Sequence, residues 1–429
     1  MSAPTHVVVE SSAALPLVTF AISSFSGAAT DPPGHEGLAR LATKLMRRTG
    51  GGLDALELDA RIDRLGAALS AEVSPSTTTL SGTVLSRSLD ALVDLVIDVV
   101  ARPGLAEAEL DRIRRETIAE LVEARDDDRG LVRRWFRRKV FEGHPYGRPT
   151  AGTPATLARL DRASARAHLE RTFASSNLAF AFAGDLSEAR AQEIANRIAT
   201  ALRLGPRLAD DVTEPTARPG RRLILVDKPE RTQTQILIGG LGTHPHDPDH
   251  VALHVANTIF GGTFSARLTR EVRSKRGWSY GAYSGLPIDR HRQAFTMWTF
   301  PKASDAAACI RLELELLEAW RRDGITPEEL AQAKSYLVRS HAFSVDTAGK
   351  RASHQLDEIV YDLPAGYHSR YLDEVRAVTL AACNEAVHAR IPERDLVVTV
   401  VATASELQSE LQAAIPGLEH TEIIPFDSD

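Results

Sequence analysis

The sequence predicts an α+β protein of two tandem homologous domains, each a mostly antiparallel sheet with helices packed on one face. Three observations carry this reading. The chain has 429 residues, enough for two or three domains at ~150 residues each. A fixed order of elements repeats: Asp31-Pro32 and Asp247-Pro248 are 216 residues apart, and so are Val7 and Leu223, which open strand-like runs. Between the halves, Leu208 to Arg222 combines acids with Pro215, Pro219 and Gly220 and has no apolar period, so it reads as a connector. The expected division is 1–212, a linker at 213–221, and 222–429.

The elements follow in order. His6 to Glu10 and Leu15 to Ser26 read as strands, Asp31-Pro32 opens an apolar-periodic helix, and Gly50-Gly51-Gly52 closes it. Ala67 to Ser74 is a return strand limited by Pro75. Ala106 to Ala124 is helical, with Leu110, Ile113, Ile118, Leu121 and Val122 at three- and four-residue spacing and Glu116 and Glu120 one turn apart. The apolar run Asn177 to Ala183 ends the first half. In the second half, Leu223 to Asp227 and Thr234 to Gly240 are strands, and Asp247-Pro248 opens a helix closed by Gly261-Gly262. Leu268 to Arg276 reads as a helix end stopped by Gly277, Trp278 to Tyr283 alternates like a strand, and Leu396 to Val401 is the closing apolar strand.

Composition excludes several function classes. Apolar residues at 43% and charged residues at 25% are ordinary globular values, and a net charge of −6 gives no footprint for nucleic acid or an anionic membrane. The most apolar stretch, Ala91 to Val100, is interrupted by Asp94 and Asp98, so no membrane span is expected. The first basic residue is Arg40, which offers no secretory start, and the expected location is cytoplasmic. Cys309 and Cys383 read as small buried hydrophobes. His250 and His254 have the spacing of a zinc pair, but HVALH lacks the Glu and follows an Asp-Pro helix start, which favours exposed surface histidines. His35-Glu36 fails as HExxH at Ala39.

The segment Glu36 to Leu45 resembles the helix that carries the inverted zinc motif HxxEH in the pitrilysin/insulinase family of metallopeptidases. Further segments resemble that family's landmarks in the family's order: His144-Pro145-Tyr146-Gly147, Gly152-Thr153-Pro154, Asn177 to Asp185, Asp247-Pro248-Asp249, Gly261-Gly262 and Leu268 to Tyr280. The resemblance spans nearly the whole chain. At the motif itself the chain departs: Arg40, Thr43 and Lys44 stand where the family has His, Glu and His. Neither cation ligates zinc, and threonine is no carboxylate base. Only the third ligand position keeps its carboxylate, Glu120, 76 residues after Lys44. No metal is expected in this chain, and Arg40 and Lys44 are expected to form ion pairs with Glu116 and Glu120.

The resemblance implies roles elsewhere. Arg273 and Tyr280 match an Arg/Tyr pair that in active members binds substrate backbone and helps stabilise the oxyanion. Read without the family, Arg273 is one of four cations at a helix end and Tyr280 a core aromatic. Ala67 to Ser74 matches the strand along which substrates lie, which implies an open sheet edge with Ala71, Glu72, Val73 and Ser74 as peptide-binding positions. The function implied is that of the non-zinc-binding subunit of a bacterial heterodimeric zinc peptidase. Its partner would be a homologous HxxEH-bearing subunit that holds the zinc, and its substrate a peptide. The alternative is a non-enzymatic structural or peptide-holding relative.

Overall fold

The computed structural model describes residues 6–429. Two compact units emerge, each built around one sheet. In the first unit β1 (Val7–Ser11), β2 (Leu17–Ser24), β3 (Ala68–Val73), β4 (Thr78–Leu85) and β5 (Leu178–Gly184) are ordered β1-β5-β2-β4-β3. The second unit holds β6 (Arg221–Asp227), β7 (Gln235–Leu241), β8 (Ala282–Gly285), β9 (Ala294–Thr299), β10 (Val397–Ala402) and β11 (Leu418–Pro425), ordered β11-β6-β10-β7-β9-β8. Apart from β11, the two orders are the same with every index raised by five. The pairing senses agree too: β1 with β5 and β6 with β10 are parallel, and the other repeated neighbours are antiparallel. The 216-residue repeat is thus a repeat of topology.

The strand sequences explain the layering. In β4 burial alternates strictly, as in a strand with one covered face. The interior strand β5 is instead buried almost throughout, because both faces are covered. Leu178, Phe180 and Phe182 join one apolar cluster with Leu41, Leu45 and Val96. Ala179, Ala181 and Ala183 point the other way and meet Ala352, Leu356 and Val360.

Those last three residues belong to the helix Ala348–Val360, which comes from the second half of the chain yet packs on β5 and β1. The exchange is reciprocal. The helix Asp128–Val140, from the first half, buries Val132, Trp135, Phe136 and Val140 and packs on β10, β7 and β6. Gly239 of β7 has no room for a side chain, since a Cβ there would collide with the Phe295 carbonyl of β9 and would also lie 3.1 Å from the Phe136 ring. The units accordingly comprise 1–121, 148–212 and 342–368 in one, and 122–147, 213–341 and 369–429 in the other. A linear cut at 213–221 omits this exchange, because periodicity along a helix does not say which sheet it covers.

Two expectations need local correction. The alternation at Trp278 to Tyr283 begins before the strand does: β8 starts at Ala282, and Trp278 to Gly281 form a loop. His250 is not a surface residue but 2% exposed, and burial pushes its imidazole down to about 3. The helix His250–Phe260 is apolar on most sides and sits in the core, so its polar residues go inside with it. Cys309 and Cys383 are buried and unbridged. Among the described residues no helix is long and apolar enough to cross a membrane.

Candidate functional site

The first locus lies on the helix Leu38–Arg48 in the first unit. Asp31 fixes its start: the buried carboxyl group accepts from the backbone N–H groups of Gly37 (3.1 Å) and Ala39 (3.0 Å), and burial pushes its pKa up to about 7. Gly37 stands at φ +95°, where a Cβ would also press on Ala151. The i, i+4 spacing then puts Arg40 and Lys44 on one face, toward the helix Glu107–Glu123.

Both cations converge on one carboxylate. Arg40 Nη2 donates to Glu120 Oε2 at 2.9 Å, and Lys44 Nζ donates to Oε1 and Oε2 at 2.8 and 3.0 Å. Glu116 is engaged otherwise, with Arg112 at 2.8 Å and Arg48 at 3.7 Å, and Arg112 first among its partners holds its carboxyl below the usual range. The expected ion pairing therefore centres on Glu120, while Glu116 serves other cations. Thr43, where the resemblance implies a water-activating Glu, is 1% exposed, and its buried hydroxyl has no partner among the described residues. These residues do not fit a zinc ion: the one carboxylate, Glu120, is already engaged by the Arg40 guanidinium and the Lys44 ammonium. Among the described residues no three His, Cys, Asp or Glu side chains gather as a metal site.

The strand β3 flanks this helix. Among the described residues it pairs only with β4 and is the edge of its sheet. Leu69 accepts a 3.0 Å bond from Arg47 Nε at its carbonyl, on the open side, so by the alternation of strand geometry the backbone groups of Ala71 and Val73 share that side. Glu72 lies in the same strand and exposes its side chain. Ser74 lies beyond the strand and is fully engaged within the turn: its N–H donates to Thr77 O, its carbonyl accepts from Ala28 N–H, and its Oγ accepts from Thr77 N–H. The open stretch is therefore Ala71 to Val73.

The second locus lies in the second unit. Thr269–Lys275 is wound as a π-helix, a form that recurs at functional sites, and Gly277 at φ +66° ends it. Ser279 pins the loop that follows: its hydroxyl donates to Gly281 O at 2.6 Å and accepts from Phe300 N–H at 3.1 Å. This presents Tyr280 at the surface, 76% exposed. Of the four cations on this segment, Arg270, Lys275 and Arg276 all approach Glu271, at 3.6, 2.7 and 3.0 Å. Arg273 does not. Its guanidinium lies between two exposed rings, 4.4 Å from the centroid of Tyr280 and 4.3 Å from that of Phe264, with no carboxylate partner among the described residues. Both ring contacts are made at the guanidinium carbon, and ring contact of this kind uses up none of the N–H donors. Phe264 carries no sequence signal, since a lone aromatic after Gly-Gly-Thr reads as an ordinary loop residue.

Comparison with known proteins places both loci in context. Residues 6–154 match the family described as insulinase (peptidase family M16), and residues 159–337 match the peptidase M16 inactive domain. An uncharacterized zinc protease of Streptomyces coelicolor is 24% identical over 352 residues, covering 80% of this chain and 76% of the relative. A non-peptidase homolog from Helicobacter pylori is 18% identical over 401 residues, covering 93% and 92%. The solved structure of a peptidase M16 inactive domain from Pseudomonas fluorescens superposes with a TM-score of 0.86 at 24% identity, covering 92% of this chain and 94% of that one.

Proposed function

Because the chain belongs to the insulinase family of M16 peptidases and carries Arg40, Thr43 and Lys44 in place of the family's HxxEH, we propose that it is the metal-free subunit of a two-chain zinc peptidase. In this reading Arg273 and Tyr280 act in trans on a peptide whose hydrolysis depends on the zinc of a homologous HxxEH-bearing partner. The observation that carries it is the Arg273 stack. Arg270, Lys275 and Arg276 all turn to Glu271, while Arg273 has no carboxylate partner among the described residues and rests against two aromatic rings, which suits it to receive a carbonyl or carboxylate oxygen. The exposed Tyr280 hydroxyl, seven residues on, supplies a further donor for an oxygen that gains charge in the transition state. A core role for this tyrosine does not accord with its 76% exposure. The Arg40/Lys44/Glu120 triad supports the metal-free half of the reading, since it leaves zinc no ligand.

The test is co-expression with an HxxEH-bearing homologue from the same genome. Tyr280→Phe removes one donor and keeps the ring, and should lower turnover about 10²-fold, the usual loss for one such donor. Arg273→Lys should be nearly as damaging, because an ammonium does not reproduce a planar fork. Zinc content and the mass of the complex should stay unchanged in both. Full peptidase activity of Tyr280→Phe in an intact complex would instead favour the structural, non-enzymatic relative.

A further inference from the structure

The vestigial metal site and the open strand lie side by side, and their directions decide what they do together. The helix Leu38–Arg48 packs on β3, and Leu41, Leu45 and Leu69 share one apolar cluster. Near its C-terminus, Arg47 bonds to the Leu69 carbonyl. Near its N-terminus, the helix is capped by Asp31, and the adjoining residues Ala28 and Ala29 donate to the carbonyls of Ser74 and Pro75. Helix and strand therefore run antiparallel. Counting back from Arg47, Lys44 stands about 4.5 Å and Arg40 about 10 Å up the helix axis. Counting on from Leu69, Ala71 and Val73 stand about 7 and 13 Å along the strand. The two cations are thus ranged alongside the stretch whose backbone groups are open.

The charge at this place is not balanced. Arg40 and Lys44 share Glu120, and the next carboxylate, Glu116, is shared by Arg48 and Arg112. Each carboxylate serves two cations. Arg47 is matched one to one by Asp59 at 3.0 Å. The side chains of Arg40 and Lys44 are 38% and 31% exposed, so their spare donors are within reach of a ligand.

We propose that the former metal site is a carboxylate receptor, which makes β3 selective for extended peptides that carry an Asp or Glu side chain. A peptide added to the edge at Ala71 and Val73 projects alternate side chains to the two faces of the sheet, and one of those faces carries the helix with Arg40 and Lys44. A side-chain carboxylate is the occupant, rather than a chain terminus. In a peptide added antiparallel to β3, a terminal carboxylate lies in the line of the strand at the Leu69 end, where Arg47 is already committed to Leu69 and Asp59. Glu120 is then an internal stand-in for the ligand, holding the two cations in place until a peptide carboxylate competes for them. This inference rests on the peptide-holding side of the proposed function and adds the class of peptide held.

The experiment uses the isolated full chain and three five-residue β-prone peptides: acetylated and amidated Thr-Val-Glu-Val-Thr, its Gln analogue, and the Gln analogue with a free C-terminus. Titration calorimetry at low salt should show the Glu peptide binding about fivefold tighter than either Gln peptide, with the margin shrinking as salt is raised. Arg40→Gln with Lys44→Gln should abolish the margin and leave Gln-peptide affinity unchanged. Glu120→Gln should widen it, because the competing carboxylate is gone and both cations remain. Equal binding of Glu and Gln peptides overturns the carboxylate receptor and leaves a peptide-binding edge intact. A gain confined to the free C-terminus overturns the side-chain assignment. No binding of any peptide overturns the edge site as a whole, while the Tyr280 test in the two-chain enzyme stands on its own.

Discussion

Single residues show how burial sets chemistry in this chain. Glu313 is 0% exposed; Thr299 Oγ1 donates to its Oε2 at 3.1 Å, and its Oε1 has no partner among the described residues. Burial pushes this carboxyl up to about 8. In the unfolded chain the group ionises near its ordinary value, so folding loses stability as pH rises from about 4.5 toward 8 and recovers none of it above. Glu313→Gln, which keeps the shape and the acceptor, should remove that loss. Urea unfolding should show the variant gaining on the parent by on the order of 2–3 kcal/mol between pH 5 and 7.5; parallel pH profiles would refute this. His168 and His250 act in the opposite direction. Burial holds both near 3, so they bind no proton when folded, and their contribution is lost as pH falls below 6.5. None of these positions is legible in the sequence, because a Glu or His inside an apolar-periodic helix looks the same whether its face meets water or core.

At the scale of elements, the helix Leu38–Arg48 carries Arg40, Thr43 and Lys44 where the family resemblance implies His, Glu and His. Positions 40 and 44 both reach Glu120 within 3.0 Å. Arg40→His, Thr43→Glu and Lys44→His together should therefore produce a chain that retains about one zinc per molecule after gel filtration, measured by atomic emission. The parent chain and the same variant carrying Glu120→Ala are the controls, and equal zinc in all three would refute the geometric claim. Most strands and the helix Glu107–Glu123 were legible within two residues, since Gly stops and period-two or 3.6 patterns are local signals, whereas the helix read as opening at Asp31-Pro32 begins only at Leu38, after the loop that Asp31 ties to the helix start. The loop at Trp278 to Gly281 was not: it alternates apolar and polar like a strand, but Ser279 ties it down through its hydroxyl instead of through ladder bonds. The candidate pair Arg273 and Tyr280 was visible only through family resemblance, and Phe264 was not visible at all, because a stack between loop and helix end leaves no periodic trace.

For the whole molecule, the decisive feature is the exchange of helices. Continuous apolar runs in β5 and β10 signal that both faces of each sheet are covered, yet they do not say by what. Each cover comes from the other half, and residues 1–212 alone lack Ala352, Leu356 and Val360. The fragments 1–212 and 222–429, expressed separately, should aggregate or lack a cooperative unfolding transition, and on co-expression they should co-purify as a soluble pair; a cooperative transition in either fragment alone would refute this. The same feature sets a schedule on the ribosome. After residue 212 is made, the first sheet waits for residues 342–368 before Ala179, Ala181 and Ala183 are covered. At about 5–20 residues per second that interval is roughly 10–30 s. Throughout it the nascent chain carries a bare, alanine-paved sheet face, the sort of surface that a holding chaperone takes up, and a pause in translation shortly before residue 342 would lengthen that dependence.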